Sequence, residues 1–196
     1  MEEDRKAQGC EKNKNDAFSL LDWVQSLVYA VTVGILIFTL FLRPITVEGS
    51  SMKPTLLNGD EVVVSDLFYH PAAGDIVVLR QKRYSETPLV KRIIALGGDT
   101  VDIDFDAGVV YVNGIAQEED YIAEKTHDRE NFEGPLTVPE GCVFVMGDNR
   151  NASTDSRSSA IGVVDERSII GKVFWILFSV DPVTGARSYG RFGGVE

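Results

Sequence analysis

Pro88-Leu89-Val90-Lys91-Arg92-Ile93-Ile94-Ala95-Leu96, closed by Gly97-Gly98, is the stretch that decides how the chain folds. Aliphatic and β-branched residues bounded by Pro and Gly predict a strand. Two upstream runs share this make-up: Glu61-Val62-Val63-Val64 after Gly59-Asp60, and Asp75-Ile76-Val77-Val78-Leu79 after Gly74. Downstream, Thr100 to Phe105 alternates, turns at Asp106-Ala107-Gly108 and returns through Val109 to Val112 before Asn113-Gly114. That is a hairpin signature. Cys142 to Met146 and Lys172 to Val180 predict two more strands. Glu118 to Glu133, acidic and irregular, predicts an exposed loop. Repeated strands between Gly, Pro and Asp turns, with no long amphipathic helix, predict a mainly all-β domain.

Ahead of these strands, Trp23 to Leu42 carries no charge. Its length is close to the ~20 residues that cross ~30 Å of hydrocarbon as a helix. Trp23 and Tyr29 sit towards one end, where an interfacial anchor belongs. A buried core helix would show a polar stripe, whereas only Gln25, Ser26, Thr32 and Thr39 interrupt this run. A cleaved signal peptide would have a shorter apolar region and a small-x-small site, but Leu42-Arg43-Pro44 follows instead. The expectation is a cytoplasmic tail over 1–22, a retained transmembrane anchor over 23–42 and an extracytoplasmic domain over 43–196. Arg5, Lys6, Lys12 and Lys14 outnumber Arg43 and Lys53 around the span, which leaves the N-terminus in the cytoplasm. A domain of roughly 150 residues suits a single core. The net charge of −11 opposes a nucleic-acid partner, which requires a basic face. Cys10 and Cys142 flank the span, so no disulfide is expected. No metal or cofactor is implied.

Lys91 is the residue in the deciding strand that points to chemistry. Alternation puts Leu89 on its face, and a lysine in apolar surroundings loses charge stabilisation, which lowers its pKa and frees a neutral amine to act as a base. A base role needs a shift of roughly two units from about 10.4; otherwise such a lysine snorkels to solvent. A candidate nucleophile lies upstream in Glu48-Gly49-Ser50-Ser51-Met52-Lys53-Pro54-Thr55-Leu56. Pro54 pushes Lys53 towards an extended conformation, and Gly49 permits a positive φ or a close backbone approach. By itself this stretch reads as a juxtamembrane linker. The two histidines, His70 and His127, sit in a turn and in the acidic loop and read as solvated. Gly147-Asp148-Asn149-Arg150-Asn151-Ala152-Ser153-Thr154-Asp155-Ser156-Arg157 forms a third polar stretch, a structured loop after a buried strand.

Taken together, Ser51 in Ser-Met-x-Pro-Thr-Leu, Lys91 in Val-Lys-Arg-Ile, and Gly-Asp-Asn-Arg…Ser…Asp-Ser-Arg resemble bacterial type I signal peptidases in order and spacing. Gly74-Asp75-Ile76-Val77 fits between them. The resemblance runs from the anchor to about Phe178. It implies a single-pass bacterial membrane protein with coiled β-sheets like those of the repressor autoproteases, and a small accessory region at about 100–142. The implied activity is a monomeric serine endopeptidase that cuts exported preproteins after small-x-small sites, with Ser51 as nucleophile and Lys91 as base. Ser153 matches the hydroxyl that orients the lysine. Asp155 and Arg157 match a pair that supports the loop, and Met52, Leu56, Leu89 and Val90 match the substrate pockets. Gly49 departs from members that place a serine hydroxyl there as a second oxyanion donor, so that donor must be backbone or water. Lysine rather than histidine at position 91 separates the chain from the endoplasmic-reticulum type. A repressor-type autoprotease shares the dyad logic but would need a basic DNA-binding module. A tethered peptide-binding domain with a dead site would lack Ser51, Lys91 or Ser153.

Overall fold

The computed structural model describes residues 21–36, 42–81, 83–181 and 183–195. It divides into two units, Met1–Leu42 and Arg43–Glu196. In the first, residues 21–36 are helical. Three of the polar side chains in the uncharged run bond within this helix, Gln25 Nε2 to the Tyr29 hydroxyl at 3.1 Å, and Ser26 Oγ to the Asp22 carbonyl and Thr32 Oγ1 to the Val28 carbonyl at 2.8 Å each. No helix among the described residues is long and apolar enough to cross a membrane. Of the expected anchor over 23–42, residues 37–41 lie outside the described residues, as do residues 1–20 of the expected tail over 1–22; Leu21 and Asp22 of that tail belong to the helix.

The regular secondary structure described in the second unit is almost all strand. It opens with β1 (Arg43–Thr46), β2 (Asp60–Ser65), β3 (Ile76–Leu79) and β4 (Leu89–Leu96). The hairpin follows as β5 (Thr100–Asp104) and β6 (Val109–Val112), then the short β7 (Ile115–Ala116) and β8 (Leu136–Thr137). β9 (Cys142–Met146), β10 (Val164–Asp165), β11 (Ile169–Val180), β12 (Arg187–Ser188) and β13 (Gly193–Gly194) complete the chain. The large sheet runs β1-β2-β11-β3-β4-β9-β10, with β12 and β13 also paired to β11, and the small sheet runs β7-β6-β5-β8.

Why these runs are continuous in Val and Ile follows from burial on both faces. In β3 all four residues are buried. Ile76 and Val78 pack with Val62, Val64 and Val173 on one side, while Val77 and Leu79 pack with Ile93, Val143 and Val145 on the other. A third apolar layer joins Val101, Ile103 and Val110 of the small sheet to Phe132, Phe144 and Met146. The long β11 shifts register against β2 between Val173 and Trp175 and again between Ile176 and Phe178. Such bulges bend a strand and add twist, which coils the large sheet.

The acidic stretch Glu118–Glu133 requires a correction. It is irregular, as expected, but it is not simply exposed. Thr126 and Phe132 are buried, and the Glu119 carboxylate receives Arg150 Nη1 and Nη2 at 2.9 and 2.7 Å. Acidic composition reads as a solvated loop only while its counter-charges are unknown. Here an arginine 31 residues downstream supplies them.

Candidate active site

The nucleophile candidate is carried by a turn anchored from below. Met52 and Leu56 are buried at 2% and 0% exposure, each worth about 1.5–3 kcal/mol of apolar burial. The turn closes through Lys53 N–H to the Ser50 carbonyl and Leu56 N–H to the Met52 carbonyl. Gly49 enters it at φ +94°, a conformation that glycine adopts without a Cβ penalty. From above, Asn149 clamps the same turn. Its backbone N–H donates to the Ser51 carbonyl at 2.9 Å, and its Nδ2 donates to the Ser50 carbonyl at 3.1 Å. The approach is close enough to demand a glycine: a Cβ on Gly147 would lie 2.5 Å from the Ser51 carbonyl oxygen and 2.3 Å from Ser153 Oγ. The Ser51 backbone N–H has no intramolecular acceptor among the described residues.

Lys91 sits in β4, paired across to Val77 of β3, and is 4% exposed. Its Nζ lies 2.7 Å from Ser51 Oγ, to which it donates as an ammonium. Once neutral, the amine accepts the hydroxyl proton across the same distance. Burial pushes the lysine from 10.5 down to about 8; the Asp155 charge opposes that shift and the Arg157 charge assists it. A fraction of the amines is therefore neutral at physiological pH, which an exposed lysine would not provide.

Asp148 joins the three motifs, a role that no local pattern in the sequence announced. Fully buried, it accepts Arg92 Nε at 2.9 Å and Arg92 Nη2 at 2.8 Å, and Thr55 Oγ1 at 2.5 Å. Arg92 is the strand neighbour of Lys91, and Thr55 lies in the Ser51 turn. Arg92 also donates to the Gly74 carbonyl at 2.7 Å, and its guanidinium lies 3.9 Å from the centre of the Tyr121 ring. Removing one member of a buried ion pair leaves an uncompensated charge, at a cost of roughly 3–5 kcal/mol. Asp148→Ala should therefore lose about that much stability in urea unfolding. A loss under about 1 kcal/mol would show that the hub does not hold the motifs together.

Asp155 is held from several directions, by Gly147 N–H at 3.0 Å and by Arg157 Nε and Nη2 at 2.8 Å each. The pair is fully buried. The placement of Ser153 corrects an expectation. Its hydroxyl donates to Asp155 Oδ2 at 2.9 Å, and no hydrogen bond joins it to Lys91 among the described residues. A hydroxyl has one proton to give, and a carboxylate two residues away is the stronger acceptor.

A cleft of about 200 Å³ opens beside Ser51 and Lys91, walled by Ile45 to Gly49 on one side and Thr87 to Val90 on the other. Met52, Leu89 and Val90 are among the residues that line it. Leu56 does not; it is sunk with Val62, Val64 and Ile76 in the apolar core. The alternation of a turn's side chains is not set by sequence spacing, so its register with the cleft was not legible. Neither histidine reaches the site: His70 Nδ1 pairs with the Phe68 carbonyl and His127 Nδ1 with the Phe105 carbonyl.

A serine hydroxyl against a buried lysine, beside a cleft in a mainly β domain, is the equipment of a serine hydrolase. The model of the family described as signal peptidase, peptidase S26, matches residues 20–178. The chain is 33% identical over 187 residues to signal peptidase I P of Bacillus subtilis subsp. natto, covering 90% of this chain and 99% of the relative. It is 35% identical over 184 residues to signal peptidase I of Bacillus licheniformis, covering 88% and 96%. A crystal structure of a signal peptidase I from Enterococcus faecalis is 36% identical, with a TM-score of 0.45 over 53% of this chain and 97% of that one. The chain belongs to the signal peptidase family, peptidase S26.

Proposed function

We propose that the chain is a signal peptidase I that cleaves the signal peptides of exported preproteins with Ser51 as nucleophile and Lys91 as general base. The observation that carries this reading is the 2.7 Å separation of Lys91 Nζ and Ser51 Oγ, with the lysine buried and its pKa lowered to about 8. Neutral Lys91 takes the Ser51 proton as Oγ attacks the scissile carbonyl, then returns it to the departing amine. Water attacks the resulting acyl-enzyme while Lys91 accepts a proton again, and Ser51 is freed. The Ser51 backbone N–H faces the developing oxyanion, where a fixed donor stabilises charge. A backbone donor or water completes the hole, since Gly49 offers no hydroxyl. Ser153 acts on Lys91 through Asp155, the carboxylate whose charge favours the ammonium.

In this reading the cleft lined by Met52, Leu89 and Val90 would take alanine-sized side chains, in keeping with small-x-small sites. Residues 23–42 anchor the chain in the bacterial membrane with the N-terminus in the cytoplasm, and the uncharged run with its Trp23 end supports that placement. Anchoring raises the effective concentration of the site near a preprotein held in the same bilayer.

Incubating the full chain in detergent with a preprotein should release a mature protein whose new N-terminus follows a small-x-small sequence. Because the amine must be neutral, kcat/KM should rise with pH and level off above about 8. A limb centred near 10.5, or a fall in rate across this range, would refute Lys91 as the base.

A further inference from the structure

We infer that the pocket between Arg43, Arg80 and Arg167 binds the phosphate of an anionic phospholipid headgroup. This rests on the membrane-tethered reading above. The pocket, about 460 Å³, lies where the start of β1 meets the end of β3 and the segment entering β11. Arg80 N–H donates to the Ser168 carbonyl at 2.9 Å, which fixes the two neighbouring arginine-bearing segments side by side.

The charge pattern is unusual for this chain. In a protein of net charge −11, three arginines line one cavity. Among the described residues only Asp165 pairs with any of them, through Arg167 Nε and Nη2. The side chains of Arg43 and Arg80 have no hydrogen bond or ion pair among the described residues and are exposed. Arg167 keeps Nη1 unengaged among the described residues, and Gln81, whose Nε2 donates to the Ile161 carbonyl at 3.2 Å, also lines the cavity. Guanidinium forks match phosphate oxygens in pairs. Ile169 and Ile170, both half-buried, line the remaining wall. Cationic forks beside an aliphatic wall suit a phosphodiester that continues into glycerol and acyl chain better than a free, fully hydrated anion.

Position points to the same occupant. Arg43 directly follows Leu42, the last residue of the uncharged run, and it begins the strand whose Ile45 lines the catalytic cleft. Two strand residues span roughly 7 Å. A lipid phosphate held at Arg43 would therefore set the level of the cleft relative to the headgroups.

Each arginine near an anionic surface contributes roughly fivefold to binding, so losing two should cost about tenfold or more. The test uses the full chain in nonionic micelles doped with either phosphatidylglycerol or phosphatidylcholine. Retained lipid is read by native mass spectrometry, and preprotein cleavage is read on the same samples. Wild type should retain phosphatidylglycerol at least about tenfold over phosphatidylcholine. Arg43→Gln/Arg80→Gln should lose that preference while cleaving at the wild-type rate in undoped detergent. Arg83→Gln, an exposed arginine outside the cavity, should behave as wild type. Equal retention of both lipids by wild type, or a preference that survives the double substitution, would overturn the inference. Displacement of phosphatidylglycerol by millimolar inorganic phosphate would overturn the lipid as occupant in favour of a soluble phosphate. Absence of cleavage by wild type in every sample would instead refute the peptidase reading, whatever lipid is retained.

Discussion

Replacing Lys91 with methionine should abolish cleavage and, at neutral pH, make the domain more stable. The catalytic loss follows from removing the base, an effect of about 10²–10⁴ or more on turnover. The stabilisation follows from linkage. Lys91 falls from 10.5 in the unfolded chain to about 8 in the folded one, so between these values the unfolded state holds the extra proton. Stability conferred by the wild-type site therefore rises with pH from about 8 to about 10.5. Below pH 8 the folded protein carries the whole penalty, roughly 3 kcal/mol at about 1.36 kcal/mol per pH unit. Lys91→Met removes it, so its advantage in denaturant unfolding should be greatest below pH 8 and fade towards 10.5. Lys91→Arg should be equally inactive, because guanidinium keeps its proton, but it should be less stable, because it stays charged in the same apolar site. An active Lys91→Arg enzyme would rule out proton transfer to residue 91. A methionine variant less stable than wild type at pH 7 would show that the buried amine is not held at a cost.

Ser51→Ala should lose cleavage by several orders of magnitude, up to about 10⁶ where a serine nucleophile is removed, while Ser50→Ala should retain most of it. The two hydroxyls are chemically alike and adjacent. Only Ser51 Oγ lies at hydrogen-bond distance from Lys91 Nζ, whereas the part of Ser50 that the fold engages is its carbonyl, which accepts Lys53 N–H and Asn149 Nδ2. Ser50→Ala keeps that carbonyl and hence the turn. Measured rates in the reverse order would move the nucleophile by one residue. Ser50→Ala should leave the unfolding midpoint unchanged, whereas Ser51→Ala removes the acceptor of the buried Lys91 ammonium and should cost about 1–3 kcal/mol of stability at neutral pH.

The strands of the large sheet were legible because their cause is local. A run such as Ile76-Val77-Val78-Leu79 is apolar at every position since both faces are covered, and Gly or Pro marks its ends. The turn at Asn113-Gly114 was legible for the same reason: both residues take positive φ, 53° and 77°, as a two-residue hairpin loop requires. β7, β8, β10, β12 and β13 were not anticipated, because two residues leave no periodicity to read, and β1 was not, because Arg43-Pro44 at its start breaks any apolar pattern.

Residue types alone also marked the candidates for chemistry. A lysine inside an aliphatic strand, a serine in a Pro-stiffened turn and a dense polar loop after a buried strand are each visible without coordinates. What joins them is not. Thr55 and Asp148 are 93 residues apart and Arg92 and Asp148 are 56 apart, and nothing local to Asp148 distinguishes it from any other turn aspartate. The same limit applies to Asn149, whose clamp on the Ser51 turn depends on the bare backbone of Gly147, and to Ser153, whose single proton goes to Asp155. Leu56 and Glu119 show the limit from the other side, one an apolar residue assigned to the cleft and the other an acid assigned to solvent. By itself the sequence determined which longer segments would be strands and which side chains could react. Only the tertiary structure decided which charges are buried, which partners neutralise them and how close the reactive groups come, because those depend on contacts between segments far apart in the chain.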